Sequence, residues 1–316
     1  MRVGLIVDSA CDLPYSFTRD NGIFILPVTA RIDGQTFVDD HDPGKTRSFY
    51  RSGLLEKGHE AETEAFSVDQ IYELFMKDIV PQYDVAFCET VTRSRSLIYD
   101  NASNAMQRVM ADYRPVRRKH NLNEFFSMRV VDSRSIFAGQ GLLAAQTLNL
   151  IKQGLSKNVL RQQVDDFTNS IYNCVIPRDL YYIRARARRR GDKSVSSVAA
   201  FLGKTVNLTP MIWAQGPDGH PVVKALSFEK AAERMIDYAV NRIDAGLLSP
   251  YVSLSYGVPE EEMESLPGLD RLRAACERNG VELLMSQMGI TSSIYVGPGS
   301  VCLALAAEPH EYKDYA

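Results

Sequence analysis

The stretch VGLIVDSACDLP, Val3 to Pro14, carries the first decision about the fold. Its small and apolar residues run without a polar break and stop at Asp8-Ser9. A short continuous apolar run that ends in turn formers reads as a strand buried on both faces. Asp8 and Ser9 suit a tight turn or the cap of a following helix. The pattern recurs downstream: DVAFC (Asp84 to Cys88) ends at Glu89-Thr90, and MRVV (Met128 to Val131) ends at Asp132-Ser133. Each run leads into a helical stretch or a loop before one. Alternation of this kind predicts an α/β protein. Its N-terminal α/β domain, residues 1–155, carries a mostly parallel sheet with helices on both faces. Ligands of open sheets sit beyond the carboxyl ends of the strands, which makes these polar strand ends the expected edge of a site.

Farther along, Gly139 to Leu155 reads as a helix, with Leu142, Leu143, Gln146 and Leu150 on related faces and Gly154 as its stop. A helix from Lys157 to Tyr172 opens a C-terminal α/β domain, residues 156–316, with a mixed sheet. Ser227 to Ile243 reads as another helix. VELLMSQ (Val281 to Gln287) reads as a strand, and SSIYVGPGSVCLALAA (Ser292 to Ala307) as two strands joined by a turn. The polar, basic segment YRPVRRKHNLN (Tyr113 to Asn123) reads as a surface loop.

The bulk numbers exclude several classes. A chain of 316 residues has room for two domains, and 45% hydrophobic with 24% charged residues is ordinary for a globular protein. A net charge of -3 and a pI near 6.0 give no global pull towards nucleic acid or a membrane surface. No run approaches the ~18 apolar residues of an integral membrane segment, and the first residues lack the pattern of a signal peptide. Five scattered cysteines, with no C-x-x-C pair, argue against a disulfide framework and a zinc site. The expected location is the cytoplasm. The five histidines have no metal-ligand spacing, and no G-x-S-x-G or Walker loop occurs. These absences lean towards a binding protein without a cofactor.

TVTRSRS (Thr90 to Ser96) places hydroxyls and the guanidiniums of Arg93 and Arg95 at a strand end, a set that suits an anion. A helix beginning near Leu97, with Tyr99 inside it, adds free backbone N–H groups there. Gly139-Gln140-Gly141 lacks the third glycine of a dinucleotide fingerprint, so these small residues serve close packing or leave room for a ligand tail. Gly297-Pro298-Gly299 is a tight turn by local chemistry. The basic run Arg184 to Lys193, which includes Arg188, Arg189 and Arg190, is either a solvated helix face or a docking surface for an acidic partner. An enzymatic alternative uses Asp8, Asp12 and Asp132 to hold Mg²⁺ for phosphoryl transfer or hydrolysis.

Taken in order, these segments resemble the DegV family. VDSACDLP is similar to its opening signature, Ile25-Leu26-Pro27-Val28 to its second stretch and FVDD (Phe37 to Asp40) to its third. VVDSRSIFAGQGLLA, LGKTVNLTPMI and YVGPGSV are similar to its later blocks. The resemblance implies a two-domain DegV-like fold and a non-catalytic protein. It also implies a long-chain fatty acid held between the domains, its tail in an apolar tunnel and its carboxylate held by hydroxyls. In better-known members a separate fatty acid kinase phosphorylates that carboxylate.

Carried over residue by residue, the family's Thr-Ser pair falls on Thr63-Glu64, its S-G-T-Y block on Ser96 to Tyr99, and the histidine of its closing block on Tyr295. Thr63, Ser96, Arg93, Arg95 and Tyr295 are therefore the expected carboxylate site. Ser9, Gly139, Gly141, Gly297 and Gly299 are the expected cleft and tail residues, and Arg188, Arg189 and Arg190 the docking surface. Glu64 would repel a carboxylate in a low-dielectric pocket, so either it points away or the head group is not that of a simple fatty acid. Arg93 or Arg95 is expected to supply compensating charge.

Overall fold

The computed structural model describes residues 1–55, 59–123, 125–180 and 208–315. The run read first is strand β1, Val3–Asp8. It lies inside a parallel four-stranded sheet with β2 (Phe24–Leu26), β6 (Val85–Thr90) and β7 (Ser127–Asp132), in the order β2-β1-β6-β7. A small antiparallel sheet, ordered β4-β3-β5, is built from β3 (Val28–Ile32), β4 (Gln35–Asp39) and β5 (Ala61–Ala65). Six strands form a mixed sheet in the order β10-β9-β8-β13-β11-β12. These are β8 (Ile171–Ile176), β9 (Thr209–Gln215), β10 (Gly219–Ala225), β11 (Tyr251–Tyr256), β12 (Glu282–Gln287) and β13 (Val301–Ala306). Only the β11–β12 pair in it is parallel.

The layers follow from which face of each strand is apolar. In β1, Ile6 faces a core with helices α3 (Val68–Leu74) and α4 (Ile98–Lys119), while Leu5 and Val7 face the opposite core. That opposite core contains α5 (Ala138–Lys152) and α6 (Lys157–Phe167), and it also takes Val175, Cys302, Ala304 and Ala306 from the mixed sheet. The far face of the mixed sheet is covered by α7 (Phe228–Ala245) and α8 (Leu269–Arg278). Helix α5 thus lies between two sheets, touching β1 and β6 on one side and β8, β11 and β13 on the other. Every residue from Ala138 to Leu148 is buried, as expected of a helix with no solvent face. Among the described residues no helix is long and apolar enough to cross a membrane.

Three sequence expectations are corrected. The helix expected to reach Tyr172 ends at Phe167, and β8 begins at Ile171. Tyr172, Cys174 and Ile176 enter one core and Ile171 and Val175 the other, which is the period of a strand buried on both faces. The segment expected as a loop from Tyr113 is helical to Lys119, with Pro115 inside α4. Arg117 explains this: it is fully buried, and its guanidinium donates to the carbonyls of Val80, Tyr83 and Asn123 and to Asp84. Finally, SSIYV is not a strand but part of helix α9, Ile290–Val296. Its first backbone N–H groups meet two distant carboxylates: Gly289 donates to Asp12 at 2.9 Å and Thr291 to Asp39 at 2.8 Å. The turn Gly297-Pro298-Gly299 follows, with φ of +89° at Gly297 and +72° at Gly299, and leads into β13. It joins a helix to a strand, not two strands.

Candidate functional site

The alternation of β5 sets one wall of the site. In AETEA, Thr63 and Ala65 turn to the inner face and the exposed Glu62 and Glu64 turn out. Glu64 pairs with Arg31 at 2.6 Å on that outer face, so of the two alternatives raised by the sequence the structure takes the one in which Glu64 points away. A second wall comes from the loop after β6. Ser96 accepts the N–H of Ile98 at 3.2 Å and fixes the start of α4. Arg95 donates to the Tyr295 hydroxyl at 3.2 Å. Tyr295 stands on α9, and its ring meets Phe137 edge-on at 5.8 Å.

These side chains line one cleft. Thr63, Arg95, Ser96, Thr291 and Tyr295 supply its polar atoms. Val28, Ala65, Val91, Ile98, Ile136 and Phe137 supply its apolar walls, and Asp8 a buried carboxyl. The cleft therefore joins β3, β5 and the α4 start to a helix that leads into the mixed sheet. Its cavity volume is ≈ 40 Å³, close to the ~30 Å³ share of one water in the liquid. Phe137 has φ +49° and Arg134 has φ +55°, rare values for residues with side chains. The loop that aims Ile136 and Phe137 into the cleft is held in this conformation by its surroundings. Ser133 and Ser135 exchange hydrogen bonds there, and Asn173 reaches Ser135 Oγ from β8.

Several expected residues stand elsewhere. Arg93 is exposed, pairs with Asp100 at 3.3 Å and lies over the Tyr99 ring. Ser9 is fully buried; it donates to the Asp39 carbonyl and accepts the N–H of Val28, tying β1 to the small sheet. Gly139 and Gly141 allow the start of α5 to touch Ser135, Asn173 and the Asp12 carbonyl, where any Cβ would collide. Gly297 and Gly299 form the turn after α9, and a Cβ on Gly299 would meet the Arg178 side chain at 3.0 Å. Arg188, Arg189 and Arg190 lie outside the described residues.

Asp8, Asp12 and Glu89 are buried carboxyls at or just past strand ends, and among the described residues they form no ion pair. Burial pushes Asp8 up to about 6, although the N–H groups of Val91 and Ala10 oppose the shift. Burial likewise pushes Asp12 up to about 7, against hydrogen bonds from Gly289 and Ser292, and Glu89 up to about 8, against one from Thr147. The Mg²⁺-enzyme alternative gains no support from this geometry. Asp8 and Asp12 are turned to their own backbone donors, and Asp132 accepts the N–H groups of Arg93 and Arg134. Among the described residues no group of three or more histidine, cysteine or carboxylate side chains could hold a metal ion. Sequence reasoning missed Thr291, Ile136 and Phe137. Thr291 was hidden because it sits between two segments that both read as strands, and Phe137 because nothing local announces its backbone conformation.

Comparison with known proteins bears on this arrangement. The family model described as uncharacterised protein, DegV family, matches residues 2–308. A DegV domain-containing protein of Xanthomonas campestris pv. campestris is 41% identical over 313 residues, covering 99% of this chain and 100% of that one. Among solved structures, a stearic acid-binding protein from Eubacterium ventriosum matches with a TM-score of 0.79 at 20% identity, covering 96% of this chain and 98% of the other. DegV of Bacillus subtilis, described as a fatty acid binding protein, matches with a TM-score of 0.75 at 18% identity, covering 97% and 100%.

Proposed function

Since this chain belongs to the DegV family, we propose that it binds one long-chain fatty acid, its carboxylate in the cleft shared by the α4 start and α9. The observation that carries the reading is the composition of that cleft: hydroxyls of Thr63, Ser96 and Tyr295 and the Arg95 guanidinium stand among Val28, Ala65, Ile98, Ile136 and Phe137. A fatty acid has that split chemistry. Each CH₂ taken from water contributes roughly 0.8 kcal/mol, and a carboxylate among apolar walls needs donors to offset its desolvation. Arg95, held against Tyr295 at the cleft wall, supplies the positive charge. Arg93 instead offers its charge to Asp100 outside. Structures of relatives named as stearic acid-binding and fatty acid binding proteins support the same ligand. The exposure of Leu97 and Arg93, neighbours of Ser96 and Arg95, supports a head-group end near the surface, within reach of a separate fatty acid kinase. The protein itself serves as the carrier.

Denaturing extraction of the purified protein should release an acyl species of about C14 to C20, identified by mass spectrometry. In titrations with oleic acid, Arg95→Ala should weaken binding roughly tenfold or more, the loss of one charge-assisted contact, while Arg93→Ala stays close to wild type. An extract without any acyl species, together with no binding of oleate by the delipidated protein, would overturn the reading.

A further inference from the structure

The polar side chains of the cleft stand at two depths. Thr63, Arg95, Ser96 and Tyr295 are each partly exposed and form its outer end. Asp8 and Thr291 line the same cleft but are buried, with Asp8 at 0% exposure and Thr291 at 8%. The two Asp8 oxygens accept the N–H groups of Ala10 and Val91, which line the cleft as well. Thr291 differs: its Oγ1 is buried and has no hydrogen-bond partner. Leaving a buried hydroxyl unpaired is costly, and native folds rarely do so.

Helix α9 sets where this hydroxyl sits. The Thr291 N–H is held by the Asp39 carboxylate at 2.8 Å. Thr291 and Tyr295 are four residues apart and share a helix face. Tyr295 meets Arg95 at the outer end, and Thr291 lies one turn away at the buried end. The outer residues already supply as many donor groups as a carboxylate has lone-pair sites, about four. Apart from Asp8 and Thr291, the buried walls are apolar, among them Val28, Val91, Ile98 and Phe137. An unsubstituted acyl chain running inward from the carboxylate offers Thr291 nothing but CH₂ groups.

Resting on the fatty-acid reading above, we propose that the ligand is a fatty acid with a hydroxyl close to its carboxyl, of the 3-hydroxy class. Thr291 Oγ1 pairs with that hydroxyl while Thr63, Arg95, Ser96 and Tyr295 hold the carboxylate. Thr291 is then the residue that sets selectivity at the head of the chain. A site built to hydrogen-bond a ligand hydroxyl rejects the analogue without it, because its own polar group is left stranded.

Isothermal titration of the delipidated full chain with palmitic acid and with each enantiomer of 3-hydroxypalmitic acid tests this. One enantiomer should bind roughly tenfold tighter than palmitic acid, and the other should lack that gain. Thr291→Val keeps the side-chain shape and the N–H to Asp39 but removes the hydroxyl. It should weaken the preferred enantiomer roughly tenfold and leave palmitic acid unchanged or tighter. Equal binding of all three acids by the wild type overturns the proposal. So does a valine variant that keeps the preference, or one that weakens all three acids alike, since Thr291 would then serve the carboxylate. If Thr291→Val does not fold, the wild-type comparison decides alone. A wild type that binds none of the acids overturns the fatty-acid reading itself.

Discussion

Glu89 is the penultimate residue of β6, a strand buried on both faces; among the described residues no cation pairs with it, and burial lifts its carboxyl to about 8. In the unfolded chain the same group ionises near its ordinary 4.5. Between those two values the folded state holds a proton that the unfolded state has released, so stability falls as pH rises through this window and levels off above pH ~8. Glu89→Gln keeps the shape and removes the ionisation. Near pH 5 the variant should melt close to wild type, and at about pH 9 it should be more stable, by on the order of 4 kcal/mol at most. Melting curves at both pH values check this; a variant that loses stability relative to wild type on going to high pH would show that Glu89 is charged in the fold. At this scale the sequence was informative where a residue obeys its own strand. The expected Thr63 and Ser96 do share a cleft, and the alternation in AETEA already held the answer for Glu64. Ser9, Gly139 and Gly141 were expected at the cleft, and in the structure they serve contacts between elements. A position beside a site carries no local mark that separates packing from ligand contact.

Arg117 shows why one element was misread. Proline, lysine and several arginines in a row are a loop signal by composition, yet the last turns of α4 are held by a guanidinium whose charged partner, Asp84, lies 33 residues upstream. Two of its neutral acceptors, the carbonyls of Val80 and Tyr83, are also remote in sequence, while Asn123 lies six residues on. Arg117→Met should cost roughly 3–5 kcal/mol, since it leaves several buried carbonyls without their donor and Asp84 with Arg2 alone. Arg117→Lys should recover only part of this, as an ammonium has three donors and no planar fork. Denaturation midpoints for the two variants give the comparison; equal midpoints for wild type and Arg117→Met would remove the residue from its role. Helix α9 was misread for a related reason. Ile290, Thr291, Ile294 and Val296 favour strands, and the carboxylates that cap the helix belong to Asp12 and Asp39, more than 250 residues earlier. Strands β1, β6 and β7 of the parallel sheet needed no such help, since each is an apolar run closed by turn residues.

Over the whole molecule, α5 is the element that both large sheets share. Leu142, Leu143, Ala144 and Ala145 are all fully buried in a cluster that includes Leu5 and Phe87 on one side and Ala304 and Ala306 on the other. Each buried leucine contributes roughly 1.5–3 kcal/mol, so neither sheet can shed the helix cheaply. Thermal unfolding should therefore be one transition. Fluorescence of the single tryptophan, Trp213, stacked on Tyr172 in the mixed sheet, should report the same midpoint as far-ultraviolet circular dichroism. Two separated midpoints would mean that the sheets unfold independently. The layered order was readable from runs and periods, but this joint ownership of α5 was not, because a helix buried all round gives no sign of which surfaces bury it. A consequence for ligand traffic follows from the two carboxylates on α9. Asp12 and Asp39 grip the helix that also carries Thr291 and Tyr295, so side chains on the far wall of so narrow a cleft retreat only when that grip loosens. Loading and unloading would then keep the pace of a door, set by how often the hinge swings and not by how often a lipid arrives.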